Sequence, residues 1–157
     1  MTKTAPIFKA VFANDVGALT KLLEAGTDIN SRDRDSRTPL MHATIDKQVD
    51  LVKYLIARGA DVNLTDSNGW TALHSATQES DDVIPRILLD HGAQVDAQDD
   101  DGNTPLSNAV FNSRGKGDLI KLLLSCGANK KLKNKHGVSP LDLAESIANY
   151  DVLKFLK

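Results

Sequence analysis

Apolar residues recur along the chain at helical spacing, in short stretches that alternate with polar segments. The clearest stretches carry their apolar positions three or four residues apart at Val49, Val52, Leu55 and Ile56, and again at Leu119, Leu122 and Leu123. Such spacing places the side chains on one face of an amphipathic helix. Four of these stretches end at a glycine, namely Gly26, Gly59, Gly92 and Gly127. Because glycine adopts the left-handed helix cap at little cost, the pattern predicts short helices with defined ends.

A six-residue motif occurs four times at an almost constant interval. The copies are Thr38–Ala43, Thr71–Ala76, Thr104–Ala109 and Ser139–Ala144, and their first positions are 33, 33 and 35 residues apart. The four glycines above keep the same three spacings, so two motifs agree on one two-residue insertion. Each copy opens with a hydroxyl residue, which is a good helix cap, and three continue with proline, which suits the first helical position. Each period is therefore predicted as turn, helix, short turn, helix.

The segments between periods are rich in Asp and Asn and contain a second glycine. Asp66–Gly69 and Asp99–Gly102 are typical of them. These residue types favour tight turns, so each segment is predicted to form a projecting hairpin-like loop.

This 33-residue pattern resembles the ankyrin repeat, whose signature is T-P-L-H-x-A in a β-turn followed by two helices. The resemblance covers essentially the whole chain and implies an all-α ankyrin-repeat solenoid of stacked helix-turn-helix units with projecting hairpin loops. One domain over residues 1–157 is expected, with units at approximately 1–32, 33–65, 66–98, 99–133 and 134–157. The first unit lacks its hairpin, and the last is short in its second helix.

The chain departs from the family pattern at the histidine of the motif. Only His74 keeps it, whereas Met41, Ser107 and Asp142 stand at the matching positions of the other units. The loop-bracing hydrogen bonds of the family are therefore implied for the unit of His74 and not for the other three.

Two further positions test the predicted backbone. Ser36 stands where the other units have the second glycine of the loop, so a positive φ there would cost on the order of 1–2 kcal/mol. Pro85 falls within the second helix of unit three, where a proline in the helix interior would cost about 3 kcal/mol. We therefore predict that this helix begins late, with Asp81 or Asp82 at its N-cap.

Composition narrows the class of protein. Hydrophobic residues make up 41% and charged residues 25%, which is typical of a folded globular protein. The net charge of −2 disfavours a general binder of polyanions or membrane surfaces. The single cysteine, Cys126, cannot form an internal disulfide, no apolar run approaches a membrane span, and Lys3, Pro6 and Lys9 interrupt any signal peptide. A cytoplasmic monomer is the expectation.

Motifs for catalysis, cofactors or metals are missing. Gly115–Gly117 lacks the spacing of a phosphate loop, and Asp99–Gly102 lacks the oxygen ligands that an EF-hand would need at Ala97 and Asn108. The histidines are too far apart for a zinc site. Because a repeat stack buries its apolar residues between units and has no walled pocket, we expect no enzyme, cofactor or small-molecule substrate.

In the family that the chain resembles, partner proteins engage the hairpin tips and the exposed ends of the first helices, along a concave groove. The resemblance places the tips at Arg34, Asp35, Arg37, Ser67, Asn68, Trp70, Asp100, Asp101, Asn103, Lys135, His136 and Val138. It places the helix ends at Phe12, Ile45, Asp46, Gln78, Glu79, Phe111 and Asn112. The predicted function is a protein-binding module, acting as a regulator or inhibitor such as an immunity-type antagonist. The alternative is a structural scaffold without a natural ligand, which the differing tips disfavour.

The aromatic residues leave two questions open. Trp70 is predicted as a binding hot spot, the alternative being that it folds over the neighbouring hairpin. Phe12 and Phe111, joined by Ile45, form either an apolar groove floor or contacts between units. The remaining aromatic residues fall on apolar helical positions and are predicted to lie in the core; these are Phe8, Tyr54, Tyr150 and Phe155.

Charge is distributed unevenly along the chain. Residues 79–101 hold eight acids against Arg86 alone, and residues 114–157 hold nine basic residues against four acids. The predicted groove therefore runs from mixed charge through acidic to basic. A small basic patch is expected at Lys130, Lys131, Lys133 and Lys135, but nucleic acid is disfavoured as a partner because aromatic stacking residues are missing.

Overall fold

The structure is a computed structural model that describes residues 5–147 and 151–157. It contains nine α-helices and no strand in those residues. The helices are α1 (Pro6–Phe12), α2 (Val16–Glu24), α3 (Pro39–Ile45), α4 (Val49–Ala57), α5 (Ala72–Ala76), α6 (Val83–Asp90), α7 (Pro105–Asn112), α8 (Asp118–Ser125) and α9 (Pro140–Ser146). A 3₁₀ turn at Leu153–Phe155 follows them.

The helices pack as consecutive pairs that stack on one another. Each of α1, α3, α5 and α7 contacts the helix that follows it, and the first helices α1, α3, α5, α7 and α9 also contact each other in that order. One continuous apolar core runs between the layers, and its fully buried leucines include Leu19, Leu40, Leu73, Leu106 and Leu123. The predicted linear stack of helix pairs is confirmed.

The hydroxyl residue of each motif starts a first helix in the predicted way. The side chains of Thr38, Thr71, Thr104 and Ser139 accept a hydrogen bond from the backbone N–H three residues later. In each case the residue at that third position also receives the N–H of the capping residue, which completes a capping box. These paired bonds explain why the four motifs fold alike although the third residue differs.

The loop between successive units is closed by one Asp or Asn side chain. In the third unit, Oδ1 of Asp66 accepts the N–H groups of Asn68 and Trp70, at 2.9 and 3.0 Å. The backbone N–H of Asp66 donates in turn to the carbonyl of Trp70 at 2.8 Å. The same arrangement recurs at Asp33, Asp99 and Asn134. The hairpin-like tips are therefore rigid Asx turns.

The predicted late start of the helix that holds Pro85 is confirmed, and Ser36 has the positive φ whose cost was considered above. Ser36 has φ of 59°, in the left-handed region that Gly69, Gly102 and Gly137 occupy in the other units. Helix α6 begins at Val83, so Pro85 lies in its first turn, where it removes no helical hydrogen bond.

The predicted core aromatics differ in how deeply they are buried. Phe8 is fully in the core, Tyr54 is half-buried with its hydroxyl bonded to Thr20, and Phe155 is half-buried near the C-terminus. Tyr150 lies outside the described residues. The C-terminal segment is held by the buried side chains of Val152 and Leu156, and its 3₁₀ turn contacts α9 of the last unit.

Candidate protein-binding face

The hairpin tips are joined edge to edge by backbone hydrogen bonds. Ser67 N–H donates to the carbonyl of Asp35, and Asp100 N–H donates to that of Asn68, at 2.9 and 3.0 Å. Lys135 N–H continues the series to the carbonyl of Asp101 at 2.9 Å. The four tips therefore form one continuous row.

Twelve of the fifteen residues that the sequence predicts as partner contacts are exposed. On the tips they are Arg34, Asp35, Ser67, Asn68, Asp100, Asp101, Lys135 and His136, and on the first helices they are Phe12, Ile45, Gln78 and Phe111. The other three are half-buried and occupy one repeat position: Arg37, Trp70 and Asn103.

These three residues turn towards the next hairpin. Arg37 forms an ion pair with Asp66 at 3.6 Å, and the indole Nε1–H of Trp70 donates to Asp99 Oδ2 at 3.1 Å. In the next unit Oδ1 of Asn103 accepts from the amide of Asn134 at 2.8 Å. In every case the partner is the Asx residue that closes the following turn.

Val138 occupies the same repeat position as Arg37, Trp70 and Asn103 in the last unit. No further hairpin follows it in the described residues, and its side chain is one of the exposed large hydrophobic groups. The inward turn of the other three thus depends on a following unit. For Trp70 the structure gives the packed arrangement: its indole stacks on His74 and bonds to the neighbouring hairpin, so it fixes the tips in place rather than projecting from them.

His74 braces two units from a fully buried position. Its Nδ1 accepts the N–H of Thr71 at 3.2 Å, and its Nε2–H donates to the carbonyl of Asn103 at 3.1 Å. The residues that replace it elsewhere reach only their own cap, as with Ser107 and Asp142. The hydrogen bond to the next unit that the family resemblance implies is therefore found at His74, and not at Ser107 or Asp142.

Sequence reasoning also missed links between hairpins that are made by long side chains. Arg32 donates to the carbonyl of Thr65 at 2.6 Å, and the amide of Gln98 donates to the carbonyl of Lys133 at 3.3 Å. Arg32, Thr65 and Gln98 stand at one repeat position, 33 residues apart. Arg32 and Gln98, two long hydrogen-bond donors at the same repeat position, are the sequence signal for these links.

The ends of the first helices form the second part of the face, which we call the first-helix face and define by Phe12, Ile45, Gln78 and Phe111. The side chains of Phe12, Ile45 and Phe111 are 50%, 41% and 71% exposed. Phe12 also packs edge-on against His42, with 4.9 Å between ring centroids. All three side chains are therefore exposed at the surface, and Phe12 in addition contacts the next unit through His42.

Charged pairs separate the apolar positions. Lys47 donates to Glu79 between the second and third units, and this hydrogen bond lowers the pKa of the Glu79 carboxyl. His42 bonds to Asp33 at 2.7 Å. Burial alone would raise the pKa of Asp33, but the bond from His42 and two backbone N–H groups lower it overall. Paired charges therefore lie between apolar anchors of the face.

Acidification through the pH range just below 6.5 is expected to reduce the free energy of unfolding through His74. Burial lowers the pKa of His74 below its ordinary value of 6.5, because the charged imidazolium would lose its hydration inside the protein. The unfolded chain takes up the imidazolium proton first, so stability is complete above pH 6.5 and falls as the pH approaches the folded pKa. The slope is at most about 1.4 kcal/mol per pH unit for one proton.

Urea unfolding at pH 7.5 and 5.0 measures this effect in the native chain and in a His74→Gln variant. The native chain should lose stability between the two pH values, and the variant should lose less because its side chain does not titrate. Equal losses in both proteins would assign the pH dependence to other groups.

Stacked helix pairs, a row of joined tips and an exposed first-helix face define a helical repeat protein. A family model described as ankyrin repeats, in three copies, matches residues 7–99, 50–134 and 84–157. The chain therefore belongs to the ankyrin repeat family. A search of curated proteins finds no match. Ankyrin repeats are generally modules for protein–protein interaction, and proteins of the family are typically not enzymes. None of the helices in residues 5–147 and 151–157 has the length and apolarity to cross a bilayer.

Proposed function

We propose that this chain binds one partner protein through the first-helix face and the row of tips, and that it regulates or inhibits that partner by covering its surface. The observation that carries the proposal is the exposure of Phe12, Ile45 and Phe111 at matching ends of three first helices. Large apolar side chains on a rigid surface are the usual centres of binding energy in protein interfaces.

The arrangement of this face supports specific recognition. Its anchors lie in the first, second and fourth units, and Gln78 and Glu79 occupy the third. A partner therefore has to match apolar contacts near both ends and polar contacts in the middle. The tips add acidic side chains at Asp100 and Asp101, which select the charge of the partner and speed its approach.

Rigidity of the tips supports the same proposal. Because Trp70 and His74 tie the third hairpin to the fourth, the backbones of these two tips are held together before a partner arrives. Ordering them then costs little at binding, which favours affinity. We also propose that the chain acts as a monomer in the cytoplasm, on the basis of its charge and its single cysteine.

Replacing anchors of the first-helix face is expected to weaken partner binding more than replacing an equally exposed residue elsewhere. The pair Ile45→Ala and Phe111→Ala should together raise the Kd at least about tenfold, since each hot-spot truncation costs more than about 1 kcal/mol. Val83 on the second helix α6 is 45% exposed, close to the 41% of Ile45, so Val83→Ala is the matched control.

The partner would be identified by cross-linking and capture from the source cell, purified, and titrated against each variant by calorimetry. Circular dichroism would confirm that the variants fold. A partner that binds the double variant as tightly as the native chain, or that loses affinity with Val83→Ala instead, would refute the proposed face.

A further inference from the structure

A groove of about 310 Å³ lies between the fourth and fifth units, where the first-helix face ends at Phe111. Its apolar lining consists of Phe111 and Val138, which are exposed, and Leu143, which is half-buried. The rest of its lining is polar, and among the described residues that line it only His136 has a titratable side chain. The groove therefore suits an uncharged side chain, because it offers no fixed charge to pair with a charged one.

The groove is open because two small side chains stand where the preceding unit has rings. Asn103 and Ser107 line it, and the same repeat positions of the third unit hold Trp70 and His74. Those two rings stack on each other, with 6.1 Å between their centroids. In the fourth unit Asn103 is held by the amide of Asn134 at 2.8 Å, and Ser107 bonds to the threonine that caps its own helix. The room that two aromatic rings fill in the third unit is therefore left open in the fourth.

Asn108 lines the same groove and carries a hydrogen-bond donor that lacks a partner. Its Nδ2 atom is buried, and no atom of the described residues accepts a hydrogen bond from it. An amide N–H that is buried without an acceptor costs free energy, so an occupant that supplies a polar atom to Asn108 gains affinity. The groove therefore favours an occupant that combines an aromatic ring with a polar atom.

We propose that this groove receives a tyrosine side chain of the partner protein. The ring takes the room that corresponds to that of the Trp70 and His74 rings, and it packs against Phe111 and Val138. The phenolic hydroxyl both donates and accepts hydrogen bonds, so it pairs with the side-chain amide of Asn108 in either orientation of that amide. This inference rests on the function proposed above, because Phe111 belongs to both, and it names the partner side chain that binds at this end of the first-helix face.

Other large side chains match the groove less well than tyrosine. Phenylalanine and leucine have no polar atom for Asn108, and the indole of tryptophan is a donor only, so each leaves the Nδ2 donor unpaired. Lysine, arginine and the acidic residues would lose hydration of their charge without gaining an ion pair with the described lining.

The test is an NMR titration of the isotope-labelled chain with the acetylated and amidated peptide Gly-Ser-Tyr-Ser-Gly, and with peptides in which Phe or Leu replaces the Tyr. At millimolar concentration the Tyr peptide should shift the backbone signals of Phe111 and Val138. The Phe peptide should bind about fivefold more weakly, since it lacks one hydrogen bond, and the Leu peptide more weakly still.

Variants of the groove separate the two parts of the proposal. Asn108→Ala should raise the Kd of the Tyr peptide about fivefold and leave that of the Phe peptide unchanged, a difference that a general loss of structure does not produce. Asn103→Trp with Ser107→His introduces the residues of the third unit into the groove and should abolish binding of both peptides. Ser75→Ala is the matched control, because Ser75 holds the repeat position of Asn108 and is equally half-buried.

Three outcomes would overturn the proposal: no shifts with the Tyr peptide, equal affinity for the Tyr and Phe peptides, or equal affinity for the Tyr and Leu peptides. If the double variant fails to fold by circular dichroism, the comparison of the two peptides on Asn108→Ala decides the matter alone. The peptide is measured without the partner, and Ile45→Ala alone should leave its binding unchanged. A partner that ignores the Ile45→Ala, Phe111→Ala pair therefore refutes the first-helix face, whereas a Tyr peptide that does not bind refutes the groove.

Discussion

Replacing Leu106 with alanine is expected to lower the free energy of unfolding by about 3–5 kcal/mol, the range found when a fully buried leucine is truncated in a rigid core. Leu106 is 0% exposed and lies on α7, which packs against α5 on one side and α9 on the other. A cavity there loosens two layers of the stack at once. Because each unit of a repeat protein contacts only its neighbours, no distant part of the fold compensates.

Urea unfolding followed by circular dichroism measures this loss, and Leu124→Ala provides the matched control. Leu124 belongs to the adjacent helix α8 but is only half-buried, so the same truncation there removes fewer contacts and leaves less of a cavity. We expect the control to lose clearly less than Leu106→Ala. Similar losses for the two variants would mean that the layers repack freely around α7.

The secondary structure was accessible to sequence reasoning because the same local chemistry is repeated. A hydroxyl cap followed by Pro or Ala starts every first helix after α1, and glycines at positive φ follow the second helices α2, α4, α6 and α8. These signals act over three or four residues and need no tertiary contact. The late start of α6 was predictable for the same reason, because proline is disfavoured in a helix interior and Pro85 therefore has to lie in the first turn.

Links between hairpins were harder to predict because they join residues about one period apart. Each Asx residue was readable as a turn former. In Asp66, Asp99 and Asn134 the remaining polar atom of the side chain also contacts a side chain of the preceding unit. Asp99 closes its own turn with Oδ1 and accepts the indole of Trp70 with Oδ2. Sequence spacing alone does not show that Trp70 turns towards this acceptor, which is why it was predicted as a projecting hot spot.

The anchors of the first-helix face were ambiguous for a different reason. Phe12 and Ile45 are the last residues of α1 and α3, and Phe111 is the penultimate residue of α7. A helix of seven or eight residues makes only two turns, so periodicity fixes poorly which way its last side chains point. Their exposure follows from where the chain leaves the helix, and that is a property of the packed stack.

Replacing Gly69 with alanine is expected to lower the free energy of unfolding more than replacing Gly137 with alanine, because it also disturbs the contact between the third and fourth hairpins. Both glycines have nearly the same left-handed backbone, with φ of 76° and 77°, so both substitutions carry the strain of about 1–2 kcal/mol for a side chain in that region. Only at Gly69 does a Cβ meet another backbone, lying 2.7 Å from the N atom of Asp100. At Gly137, no atom of the described residues other than the glycine and its two chain neighbours lies within 4 Å of the same position.

The extra cost at Gly69 arises from the row of tips. Relieving the contact moves the fourth hairpin away and lengthens the bond from Asp100 N–H to the carbonyl of Asn68, now 3.0 Å. We expect Gly69→Ala to lose about 1–3 kcal/mol more than Gly137→Ala in urea unfolding, the usual cost of overpacking. Hydrogen exchange at Asp100 should rise in the first variant alone. Ser36 already holds a side chain in this left-handed conformation, so strain by itself is tolerated, and equal losses for the two glycines would show that the hairpins separate without resistance.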